Sequence, residues 1–102
     1  MLLKPGYVED IEVMSGSVFD LSLASVKKIL DANTTFTFDG IVYGKCNRFI
    51  LYLENADTFT VSLPASVKWM PSTPIFTSKD RIVFETIDDG TTWLAFYTGS
   101  YE

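Results

Sequence analysis

The stretch Ile82-Val83-Phe84-Glu85-Thr86-Ile87-Asp88-Asp89-Gly90-Thr91-Thr92-Trp93-Leu94-Ala95-Phe96-Tyr97-Thr98 decides the fold class. Ile82, Phe84 and Thr86 alternate with Val83, Glu85 and Ile87. After the turn, Trp93, Ala95 and Tyr97 share one face, and Leu94 and Phe96 share the other. A period of two on both sides of an Asp-Asp-Gly-Thr turn predicts a β-hairpin, because glycine supplies the positive φ the turn needs.

The same alternation recurs upstream. Ile11 and Val13 mark a strand over 8–14, and Phe19, Leu21 and Leu23 mark one after the Ser15-Gly16-Ser17 turn. Phe36 and Phe38 alternate with Thr35 and Thr37, and Ile41-Val42-Tyr43 reads as a brief edge strand. Val67 and Trp69 flank Lys68. Phe49, Leu51 and Leu53 oppose Ile50 and Tyr52, and Phe59, Val61 and Leu63 follow a three-residue turn. So short a connection predicts that 48–54 and 58–63 pair as an antiparallel hairpin. Val26, Ile29 and Leu30 stand at i, i+3 and i+4 behind Ser25, the pattern of a short helical turn near 25–30. Pro5 and Gly6 fall in an aperiodic stretch read as an N-terminal arm, 1–7, before one domain over 8–102. The expected architecture is all-β: a single antiparallel β-sandwich, jelly-roll-like, of about 7–8 short strands with turn signals at the usual spacing.

Composition agrees. Val, Ile and Thr number 8, 7 and 11 against 5 alanines, and there are 8 Phe, 5 Tyr and 2 Trp. Such side chains suit pleated, half-buried surfaces. A length of 102 residues fits one compact unit.

Composition also narrows the chemistry. With no histidine and one cysteine, Cys46, the chain offers no Ser-His-Asp set, no His-ligated zinc and no internal disulfide. A net charge of −5, with 8 Lys and Arg spread along the chain, gives no linear basic stripe for nucleic acid. Met1 to Gly6 lacks the apolar stretch of a secretory signal, and no apolar run approaches the roughly 18 residues of a membrane helix. Asp88-Asp89-Gly90-Thr91 lacks the alternating carboxylates of a calcium loop. Nothing in the spacing of Asp20, Asp31, Asp39 and Asp57 pairs two of them as glycosidase carboxylates. Asn33-Thr34-Thr35 is a formal glycosylation sequon, and Cys46 reads as a structural residue or loop thiol. The sequence therefore predicts no catalytic residue, no metal site and no cofactor. Trp69 and Trp93 sit in alternating apolar runs, which assigns them to packing. Were aromatic rings exposed, Trp69, Tyr97 and Tyr101 would be the candidates to stack a host glycan.

Two predicted strands are apolar on both faces. A sandwich needs one such face per strand, so Ile50, Tyr52, Leu94 and Phe96 need a second cover. Either loops and the turn at 25–30 supply it, or neighbouring subunits do. The second case makes these four residues an oligomer interface.

Three segments carry a resemblance. They are Gly16-Ser17-Val18-Phe19-Asp20-Leu21-Ser22-Leu23 with Asn33-Thr34-Thr35-Phe36-Thr37-Phe38, then Thr60-Val61-Ser62-Leu63-Pro64-Ala65-Ser66-Val67-Lys68-Trp69, and Asp88-Asp89-Gly90-Thr91-Thr92-Trp93-Leu94-Ala95-Phe96. In this order, over about residues 10 to 98, the chain resembles a β domain found at the C-terminal ends of bacteriophage tail-fibre-like and other virion structural proteins. Two loops depart from that pattern: Ala24 to Ala32 is inserted, and Met70-Pro71-Ser72-Thr73-Pro74 replaces a Gly-Gly turn. The resemblance implies a non-enzymatic virion component located in the phage particle. Its implied partners are other virion proteins and its own copies, as a homotrimer, with neither nucleic acid nor membrane insertion. The alternative is a receptor-binding tip that recognises host surface glycan.

Overall fold

The computed structural model describes residues 10–21 and 24–102, which are all-β with no helix. The arm read over 1–7, and Ser22 and Leu23 of the second predicted strand, lie outside the described residues. The strands are β1 (Glu12–Val13), β2 (Val18–Asp20), β3 (Ser25–Ile29), β4 (Thr34–Thr35), β5 (Thr37–Asp39), β6 (Asn47–Glu54), β7 (Val61–Ser62), β8 (Val67–Met70), β9 (Lys79–Thr86) and β10 (Trp93–Ser100). A six-stranded main sheet runs β1-β3-β6-β9-β10-β8, and β2-β5 and β4-β7 form two small sheets.

The inward residues of the long strands build the core. Phe49, Leu51 and Leu53 of β6, Ile82 and Phe84 of β9, and Trp93 and Ala95 of β10 are all buried. The second layer closes over them with phenylalanines. Phe19 of β2 stacks on Phe36 at 4.6 Å and meets Phe49 and Phe84, while Phe38 of β5 stacks on Trp93 at 4.3 Å. Each fully buried side chain of this size contributes about 1.5–3 kcal/mol, which is how strands of two and three residues hold their place.

The predicted hairpin over 82–98 is present as β9 and β10, paired antiparallel with Leu94 opposite Glu85. Asp89 and Gly90 take the positive φ values, 56° and 84°. Asp88 Oδ1 accepts hydrogen bonds from Thr86 Oγ1 at 3.0 Å and the Thr92 amide at 2.9 Å, which locks the turn.

Four expectations are corrected. The segment 25–30 is no helical turn: Ser25–Ile29 is β3, paired parallel to β6 from Ser25–Ile50 to Ile29–Glu54. Val26, Lys28 and Leu30 point inward in a period of two, and the buried Lys28 amine donates to the Ser15 carbonyl at 3.2 Å. The strand 48–54 does not pair with 58–63. It pairs antiparallel with β9, and β7 instead pairs parallel with β4. Residues 41–43 form no strand, because Asn47 Oδ1 and Nδ2 take up the Val42 amide and carbonyl. The sheets are mixed rather than antiparallel throughout, with parallel pairing in β1-β3, β3-β6, β8-β10, β2-β5 and β4-β7.

Candidate functional site

The candidate site is the outer face of the main sheet, opposite the core. Register places Ile50, Val83, Phe96 and Met70 abreast across β6, β9, β10 and β8. The next row is Arg48, Glu85, Leu94 and Lys68, and on the other side Lys27, Tyr52 and Arg81 stand abreast. Ile50, Tyr52, Leu94 and Phe96, the four residues that the sequence offers as an interface, thus share one surface. Each is half-buried and none belongs to the core. The segment 25–30 does not cover them, because as β3 it extends the same sheet.

Charged groups frame this apolar stripe. Glu85 takes Arg48 Nε at 2.7 Å and Nη2 at 2.5 Å. Glu54 takes Lys27 Nζ at 2.8 Å, and that hydrogen bond holds its carboxyl below the usual carboxylate range. The Arg81 guanidinium lies over the Tyr52 ring at 5.9 Å and donates to Thr98 Oγ1 at 3.0 Å. Tyr101 meets Tyr52 edge-on at 5.9 Å. Sequence reasoning missed Val83 and Met70, whose parity along β9 and β8 matches the stripe, and it missed the gathering of cations, which pairing alone brings together.

The three aromatic residues considered for glycan stacking are not brought together. Trp69, half-buried, packs against Phe76 at 5.8 Å beside a cleft of about 320 Å³. Val61, Leu63, Pro64, Ala65 and Val67 complete the wall, with Thr73 as its one polar side chain. Tyr97 points into the fold, where its hydroxyl donates to Asp80 Oδ1 at 2.6 Å. Burial first, and Asp80 second, push that phenol up to about 12. Tyr101 lies on the outer face.

Several polar groups among the described residues have structural partners. Asp80, fully buried, also accepts from the Thr77 amide and hydroxyl at 2.8 and 3.0 Å. Asp89 accepts the Gly44 amide at 2.8 Å, and Asn33 Oδ1 accepts the Thr60 amide at 2.8 Å. Exposed Cys46 lies 3.8 Å from Arg48 Nη2. Asp20 and Asp39 are opposite each other on β2 and β5, while Asp31 and Asp57 lie in separate turns. Among the described residues no group of three His, Cys, Asp or Glu is placed to hold a metal ion.

No protein family, curated protein or solved structure matches this chain.

Proposed function

We propose that this chain is a non-enzymatic structural protein of a bacteriophage virion, acting as an oligomeric β module that packs on its own copies and on other virion proteins. The resemblance of the Leu-Pro-Ala-Ser-Val-Lys-Trp and Asp-Gly-Thr-Thr-Trp segments supports the phage assignment, and through it the homotrimer. One observation carries the assembly: Ile50, Val83, Leu94, Phe96 and Met70 form a continuous stripe on a sheet face with no second layer over it among the described residues. An apolar centre with a charged rim is the anatomy of a protein interface. Light scattering coupled to size exclusion tests it. The expected result is a homo-oligomer that Phe96→Glu converts to a folded monomer. A wild-type chain that stays monomeric at high concentration removes the assembly.

The second reading, a receptor-binding tip for host glycan, is favoured by the half-buried Trp69 ring beside an open cleft. Binding of the chain to a glycan array, lost in Trp69→Ala with the fold retained, would support it. An array without a hit would remove it.

A further inference from the structure

The cations of this chain are scattered in sequence and gathered in space. Lys27, Arg48, Lys68, Lys79 and Arg81 all belong to the outer face of the main sheet, with two carboxylates, Glu54 and Glu85. That face carries 5 − 2 = +3. Everywhere else among the described residues, Lys28 and Lys45 stand against ten carboxylates, 2 − 10 = −8. The two sums give −5, the net charge of the whole chain, since the undescribed Lys4 and Glu9 cancel. Glu54 and Glu85 are already engaged by Lys27 and Arg48. Lys68, Lys79 and Arg81 form no ion pair among the described residues.

The second layer carries a pair of carboxylates. On the second layer Asp20 and Asp39 lie side by side, both exposed, next to the exposed Val18. A small acidic protein therefore presents one cationic face built around an apolar stripe, and a net acidic remainder that includes Asp20 and Asp39 on the second layer.

We infer that the outer sheet face receives a second copy of the same chain, seated through that copy's acidic second layer in a head-to-tail contact. This rests on reading the face as an interface between copies and adds the partner surface and the polarity. Two copies joined face to face would set +3 against +3, and like charges across an interface are strongly disfavoured. Head-to-tail joining sets cations against carboxylates and leaves the stripe as the dry centre. Such a contact closes into a ring or runs into a fibre, according to the rotation between neighbours. A single-stranded nucleic acid would also meet cations and aromatic rings on this face. The acidic remainder of the chain repels a polyanion and attracts the cationic face of another copy, so the observations favour the second copy.

Sedimentation and light scattering on four samples test this: wild type, Lys68→Glu with Lys79→Glu, Asp20→Lys with Asp39→Lys, and the two double variants mixed. Near-UV circular dichroism checks that each is folded. Wild-type association is expected to weaken about tenfold or more between roughly 0.05 and 0.5 M salt, as screening shortens the reach of exposed charges. Each double variant alone should lose association by about tenfold or more, and mixing them should restore it. Association indifferent to salt and to the lysine reversals, yet abolished by Phe96→Glu, overturns the head-to-tail contact and leaves the apolar interface standing. A wild type that is monomeric throughout removes both. Salt-sensitive binding of a labelled oligothymidine, lost in the lysine variant, overturns the second copy as the occupant.

Discussion

Phe19 is the side chain on which the second layer depends, and its truncation gives the most direct test of the packing. Its ring is fully buried and stands 4.6 Å from Phe36, 5.0 Å from Phe49, 5.4 Å from Phe38 and 5.7 Å from Phe84. Phe19→Ala removes the ring from the middle of these four. Strand β2 has three residues and one ladder, to β5, so little backbone pairing offsets the loss. Truncating a buried phenylalanine costs about 3–5 kcal/mol. A domain of this size is stable by about 5–15 kcal/mol, so the variant retains between a fraction and most of its stability. With a urea slope of about 1–3 kcal/mol per molar, the midpoint should fall by roughly 1–5 M. The assay is urea unfolding followed by tryptophan fluorescence, because Phe38 ties β5 to Trp93. The control is the adjacent Val18→Ala: Val18 is 52 % exposed, and its truncation should stay within about 0.5 kcal/mol. The reasoning is refuted if Phe19→Ala loses less than about 1 kcal/mol, or if Val18→Ala costs as much.

Gly90→Ala should cost about 1–2 kcal/mol in thermal unfolding, because φ is 84° there and a Cβ would also force Ile41 Cδ1 aside; a variant as stable as wild type would refute the turn geometry. Tyr97 should titrate near 12 by ultraviolet absorbance, and Tyr97→Phe should erase that step. The folded value lies above the ordinary 10.0, so the native state holds the proton more tightly; this stability is complete below pH 10 and drains away as pH climbs toward 12. A titration with no late phenol would count against the burial of the ring and the Asp80 contact. Acrylamide should quench Trp69 and spare Trp93, which is 1 % exposed. Trp69→Phe should therefore leave a quench-resistant emission, and equal quenching of the wild type and this variant would contradict the placement.

What the sequence made legible was local. The β9–β10 hairpin could be read because Asp88 and Gly90 hold its turn with bonds spanning at most four residues. The all-β class followed from alternation, which each strand displays by itself. Parallel pairing is different. Ser25 and Ile50, or Val67 and Trp93, meet across long connections that leave no turn signature. The short turn after β6 therefore pointed to the wrong partner, and the chain leads away to β7. Segment 25–30 misled through Lys28: a lysine at an inward position broke the apolar alternation, and only its hydrogen bond to Ser15 explains why it is tolerated there. The interface candidates were legible as two-sided strands, since Ile50 and Phe96 betray their second face without any partner. The cationic frame was not, because Lys27, Arg48, Lys68, Lys79 and Arg81 become neighbours only when four different strands are set in register.

Strand β10 is the neighbour of both β9 and β8 in the main sheet, and it supplies Trp93 and Ala95 to the core. A ribosome delivers it after the other nine described strands. Until Trp93–Ser100 emerges, β8 has no companion in that sheet, β9 has one side bare and Phe38 lacks the indole it stacks on. Messages cut short before Trp93 would yield sticky, open-sided fragments suited to proteases and chaperones rather than to assembly.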